Sequence, residues 1–271
     1  MKLDRQTATP REEQLPMPDK QRMPADGNDA ESQFELGLRL AHGEGTGRDY
    51  AGAVERFRTA AERGHAGAQD ALGVCYANGW GVTRDYQAAA VWMLKAAQQG
   101  LALAEFHAGI CFELGWGVPK DEGQASEWYR RAAEQGLASA LSRVGERYRR
   151  GVGMPKDPAK AFLCFQRAAE QGEADSLYGL GVCYPQGIGI YRSDAEAVAC
   201  YRRAASLGND DARWALDWSI CGGSGLHQYS GGPRYSTGAA PAAPANCWRG
   251  TSPPTRLPRS GVQAPSSAPR P

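Results

Sequence analysis

The chain has 271 residues, 42% hydrophobic and 23% charged, with a net charge of +1, and its 34 glycines and 17 prolines exceed ordinary usage. It contains no run of about 18 apolar residues able to span a bilayer. No apolar core of a signal peptide follows Met1-Lys2, so the cytoplasm is the expected compartment.

Residues 1–29 carry charge and proline with almost no apolar periodicity, and they are expected to form a disordered tail. From Ala30 the pattern changes. Shifting the frame by 36 residues without a gap aligns Gly37, Gly73, Gly109, Gly145 and Gly181 in one column and Gly64, Gly100, Gly136, Gly172 and Gly208 in another. Between them lie Ala53, Ala89, Ala125, Ala161 and Ala197, and Ala-Ala pairs beginning at Ala60, Ala96, Ala132, Ala168 and Ala204. A period of this size signals a stack of small supersecondary units, none of which buries its apolar face alone. The units span residues 30–65, 66–101, 102–137, 138–173 and 174–209, and residues 210–221 supply one further helix that caps the last apolar face.

Within the second unit, Ala68, Leu72, Cys75 and Tyr76 fall at helical spacing, and so do Ala89, Met93, Ala96 and Ala97 after a glycine-containing break. Each unit is thus read as two short amphipathic helices. The column Asp49, Asp85, Asp121, Asp157, Ser193 stands where a side-chain oxygen caps the second helix. Pro158 follows the fourth member, and Gln124 and Glu196 follow the third and fifth as in a capping box. Gly100 and its equivalents suit a left-handed stop that keeps the turn between units short. The first unit replaces the Gly-Trp-Gly-Val wording with Gly43-Glu44-Gly45-Thr46. In the fifth, Pro185 is expected to shorten or bend the first helix. The fourth turns basic with Arg143, Arg147, Arg149, Arg150 and Lys156, although the repeats together sum to −3. Residues 222–271 shift to Gly, Pro, Ser and Ala with five arginines and no acidic residue, and cannot build a core. They read either as a basic tether or as an unselected extension.

The pattern Leu72-Gly73, Tyr76, Gly79-x-Gly81-Val82, Asp85, Ala89, Ala96-Ala97, Gly100 closely resembles the Sel-1-like repeat, a relative of the tetratricopeptide repeat, and it recurs over roughly residues 30–221. The resemblance implies an all-α, right-handed α-solenoid of five helix-turn-helix repeats. It further implies an adaptor or scaffold that binds a protein or peptide partner, and with no catalytic or cofactor motif in the sequence a non-enzymatic chain without cofactor is expected.

The seven cysteines follow the repeat. Cys75, Cys111 and Cys183 share one column and Cys164 and Cys200 another, so stacked equivalents lie about 10 Å apart or more, beyond disulfide reach. Small hydrophobes in reduced surroundings are the simpler reading. Some cysteine-rich relatives staple the two helices of a unit through the second position of the Ala-Ala pair, and a few have been credited with β-lactam hydrolysis. Here that column reads Ala61, Ala97, Ala133, Ala169, Ala205, so the stapled subtype is not expected. His107 and Cys111 lie at i, i+4 and can offer two metal ligands, but no further ligands accompany them. The sequence has no phosphate loop, no His-Glu-x-x-His, no nucleophile elbow and no dinucleotide fingerprint, and its recurring Gly-x-Gly is a turn between helices.

By analogy with tetratricopeptide repeats, a groove is expected along first-helix positions outside the core columns. One such column reads Phe34, Asp70, Phe106, Ser142, Tyr178, Trp214, and the next reads Leu38, Val74, Ile110, Glu146, Val182, Trp218. With Arg149 and Arg150 these residues suit a peptide carrying hydrophobic anchors and charges. The competing reading is that the aromatics simply pack on neighbouring units. Trp80 and Trp116, in the middle of Gly-x-Gly loops, form a candidate edge ridge that Val152 and Ile188 continue. Alternatively each indole folds back over the adjoining helix ends. Nucleic-acid binding through the fourth unit and the arginine-bearing tail is a weaker alternative on charge distribution.

Overall fold

The computed structural model describes residues 29–43, 47–187 and 191–221, with side chains described as far as Leu216. The expected tails, residues 1–28 and 222–271, lie outside the described residues, and so do Ile188 and the side chain of Trp218. The described chain is eleven α-helices and no strand. In order they are α1 (Ala30–His42), α2 (Tyr50–Glu62), α3 (Ala66–Asn78), α4 (Tyr86–Gln98), α5 (Ala102–Leu114), α6 (Glu122–Glu134), α7 (Ala138–Arg150), α8 (Pro158–Glu170), α9 (Ala174–Gln186), α10 (Asp194–Ser206) and α11 (Asp210–Cys221). Each helix packs on the next along the chain, and first helices of successive units also touch, α3 on α5 and α7 on α9. This is an α-solenoid.

The helix boundaries follow from side chains that occupy otherwise orphaned backbone donors. Asp49, Asp85, Asp121 and Asp157 each accept from backbone N–H groups at the start of α2, α4, α6 and α8, and Ser193 does the same for α10. The carboxyls of Asp121 and Asp157 are held below their ordinary value, chiefly by the N–H groups of Gln124 and Lys160. In place of a reciprocal capping box, the Gln124 amide turns onto the Asp121 carboxylate itself, at 3.2 Å. Asp29, the last residue of the expected tail, caps α1 by accepting from Ser32 N–H at 2.9 Å. Pro185 does not shorten α9, which keeps the same thirteen residues as α1, α3, α5 and α7. Its place in the last turn limits the loss to one backbone bond near the helix end.

The core explains the glycine column. On the second helix of each unit one column is always large, Phe57, Met93, Tyr129, Phe165 or Tyr201, and all five are buried. A Cβ added at Gly37, Gly73, Gly109 or Gly145 would come within 2.6, 2.7, 2.6 and 2.8 Å of Phe57, Met93, Tyr129 and Phe165 respectively. Glycine therefore clears the seat for the large side chain of its own unit. Each such residue contributes about 2 kcal/mol by leaving water. Around it the columns of Ala53, Ala89, Ala125, Ala161 and Ala197 are almost fully buried and let the helix axes draw close.

Polar contacts fasten one unit to the next. The Gln99 side chain donates to Gln69 at 2.7 Å, that of Gln135 to Glu105 at 2.7 Å and to the Gly100 carbonyl at 3.0 Å, and that of Gln171 to the Gly136 carbonyl at 3.0 Å. Burial pushes the Glu105 carboxyl above its ordinary value while Gln135 pulls it back.

Candidate partner-binding groove

The groove positions sit on the first helices α1, α3, α5, α7, α9 and α11, whose caps and core columns fix which face turns away from the second helices. The structure gathers only part of the set. Ile110, Glu146 and Arg150 line one depression between α5 and α7, together with Leu114, Arg147 and Val152. Glu146, Arg149, Tyr178 and Val182 line a second, between α7, α9 and α11, with Asp175, Asn209 and Asp211. Arg143 and Glu146 border both. Leu114, which the sequence did not single out, is one of the most exposed large apolar residues and lies at the mouth of the first depression.

The aromatic members do double duty as packing residues. Phe34 lies against Phe57 and His65, with ring centroids 5.9 and 4.5 Å away. Phe106 meets Tyr129 at 5.4 Å, and Tyr178, only 6% exposed, meets Tyr201 at 5.7 Å. Leu38 and Val74 are half-buried beside the core of the first units, and Trp214 is half-buried on α11. The edge tryptophans stack across units. Trp80 lies on Tyr50 of the preceding unit (5.4 Å, interplanar 24°) and Trp116 on Tyr86 (4.8 Å, 24°). Trp80 keeps 43% of its surface exposed, so its stack does not seal it.

Three arginines of the basic fourth unit face carboxylates, two of them within the unit and one across the joint to the third. Arg149 donates twice to Glu146, at 2.7 and 2.8 Å, and Arg150 lies 3.7 Å from the same carboxylate. Arg147 is 4% exposed. It donates to the Glu122 carbonyl (3.2 Å), the Glu122 carboxylate (3.0 Å) and Ser126 (3.1 Å), lies 3.3 Å from Glu113, and covers the Tyr129 ring at 5.0 Å. All four partners belong to the third unit. Arg147 occupies the column of Cys75, Cys111 and Cys183, and that column was the available signal that it faces inward.

His107 and Cys111 do not converge. The Cys111 thiol is buried and donates to the Met93 sulfur at 3.6 Å, while His107 Nδ1 lies 2.7 Å from the Asp70 carboxylate of the preceding unit. No group of three or more potential metal ligands occurs among the described residues. Cys75, Cys111 and Cys183 behave as core residues, with burial raising the first two thiols to about 11 and the third to about 12.

The architecture defines a helical-repeat solenoid. Residues 30–65, 66–101, 102–137, 138–173 and 174–209 each match the family profile described as Sel1 repeat, and the chain belongs to the Sel1 repeat family. It is similar to a protective antigen present in uropathogenic Escherichia coli strains, solved with an SLR fold, at 37% identity and a TM-score of 0.66. That match covers 73% of this chain and 42% of the antigen, so the chain spans less than half of that relative's length. It is also similar to a Sel1 repeat protein from Oxalobacter formigenes, at 32% identity and a TM-score of 0.69, over 74% of this chain and 80% of the other. A search of curated proteins returns no significant match.

Proposed function

We propose that this chain is a non-enzymatic cytoplasmic adaptor that receives a segment of a partner protein along the first-helix face of its third to sixth units. Repeats of this family are protein-interaction modules in general, and the placement on this chain rests on one observation. Two depressions lie side by side, one with an apolar mouth at Ile110 and Leu114 and one floored by Tyr178 and Val182, and the Arg143 and Glu146 side chains border both. An extended segment advances about 3.3 Å per residue, so a few residues bridge neighbouring units about 10 Å apart. Apolar side chains would enter the depressions while charged ones meet the shared border.

The test uses the full chain as bait in native lysate. Ile110→Asp combined with Leu114→Asp puts two charges in the first depression, and Leu163→Asp places a single charge at an exposed position on a second helix. A specific partner lost with the first variant and kept with the second is expected. A partner kept by both folded variants would remove the groove from consideration.

A further inference from the structure

The depression between α7, α9 and α11 holds two carboxylates that no cation meets among the described residues. Asp175 and Asp211 stand one 36-residue period apart, in the first turns of α9 and α11, and both line it together with Tyr178 and Val182. The other charges nearby have partners. Arg149 donates twice to Glu146, Arg213 lies 2.6 Å from Asp210, and Arg143 draws down the Glu173 carboxyl that burial and Asp175 raise. Asp175 accepts only from the neutral Asn209 amide, at 2.7 Å. Burial, and after it Asp175 and Asp210, push the Asp211 carboxyl above its ordinary value.

The first junction of the stack shows what the last one lacks. There the columns of Asp175 and Asn209 hold Glu31 and His65, and an imidazole able to take up charge meets the carboxylate at 2.9 Å. The column's next member is Gly67, so one carboxylate faces one ring. At the last junction two carboxylates share one neutral amide, and like charges held close together favour a cation between them. A guanidinium suits the place best. Its planar fork can donate to two carboxylates at once, and its stem can lie on apolar surface such as Tyr178 and Val182.

The chain carries such groups beside the site. Residues 222–271 contain five arginines, no lysine and no acidic residue. Asp211 lies ten residues before Cys221 on α11, a distance of about 15 Å along the helix. The first arginine, Arg234, follows thirteen residues after Cys221, and that length of chain reaches at most about 43–47 Å. The next, Arg249, is fifteen residues further on, and effective concentration falls as the connection lengthens.

We propose that the chain's own segment at Arg234 docks in this depression, its guanidinium bridging the Asp175 and Asp211 carboxylates, and so occupies one end of the groove until a partner displaces it. The docking stands by itself. Its consequence for partner binding rests on the adaptor reading.

Two measurements on the full chain test the docking without any partner. Arg234→Lys puts the only amine of residues 222–271 at that position, and a carbodiimide joins it to a carboxylate it touches. Coupling within one copy to Asp175 or Asp211 is expected. Coupling spread over distant acids such as Glu55 and Glu62, coupling only between two copies, or no coupling at all overturns the proposal. In the unreacted chain, Arg234→Ala should shift the 15N–1H resonances of residues 174–182 and 210–216, and Arg270→Ala should leave them in place. Equal effects would mean a diffuse attraction of the whole basic segment and would sink the assignment to Arg234. A partner found in the lysate test should then bind the Arg234→Ala chain about five- to tenfold more tightly than the wild type, the effect of removing one competing ion pair. Unchanged affinity, with the docking seen by both measurements, refutes the competition and leaves the docking and the adaptor reading standing.

Discussion

Arg147 shows how one side chain decides the character of a junction. A guanidinium taken from water is tolerated here because Glu122, Ser126, Glu113 and the face of Tyr129 surround it. Removing one partner of a buried pair typically costs about 3–5 kcal/mol, and the partial exposure of both glutamates lowers this. Arg147→Ala is therefore predicted to reduce unfolding stability by about 2–3 kcal/mol in urea, and an unchanged midpoint would show that the cluster contributes nothing. The buried thiols make a second prediction at this scale. Cys75, Cys111 and Cys183 stay protonated in the fold up to about 11, 11 and 12, against an ordinary value of 9.0. Their contribution is complete below pH 9 and is lost as pH rises toward 11–12, because the unfolded chain releases those protons first. Each thiol adds a slope of about 1.4 kcal/mol per pH unit in that window. Urea midpoints followed upward from pH 9 should fall, and the fall should become shallower when the three cysteines are replaced by alanine, Cys200, also raised to about 11, keeping part of it. The inward direction of residue 147 was legible from its column. Its partners were not, because Glu113, Glu122 and Ser126 stand where the preceding unit has Ala77, Tyr86 and Ala90, and only the stacked structure brings those columns together. The same holds for His107, whose partner lies 37 residues back.

Helices and loops were read more completely than side-chain partnerships. The Asp and Ser column marked where second helices begin, and the glycine columns marked where helices end, because capping and left-handed turns are local events that neighbouring residues specify. The loop glycines carry a tertiary constraint that no local rule contains. Gly117 has φ +68, and a Cβ there would strike the carbonyl of Tyr86 at the start of the preceding unit's second helix; Gly136 has φ +89 and open space around it. Gly117→Ala should therefore cost about 3 kcal/mol or more, and Gly136→Ala about 1 kcal/mol from backbone conformation alone. Equal shifts in parallel urea titrations would mean that the loop does not clamp the preceding helix. The groove was legible only as alternating columns. The columns could not separate Ile110, at a depression, from Tyr178, whose ring serves the core as well.

At the scale of the whole molecule, contacts run almost entirely between neighbouring helices, so stability is expected to be distributed along the stack. Helix α11 covers the last pair through Ala212, Ala215 and Leu216. A chain ended after residue 209 should lose amide protection in α9 and α10 well before α3 to α6, and uniform loss across all units would instead indicate one cooperative block. The constant 36-residue period also bears on how such a chain changes by recombination. Duplicating or deleting one unit preserves both the reading frame and the helical register, which makes most units exchangeable parts. The joint between units three and four is keyed. A recombinant lacking residues 102–137 would turn Arg147 toward Ala77, Tyr86, Ala90 and Met93, with no carboxylate to receive it. Loss of unit three alone would thus strand a buried cation that loss of both units would not.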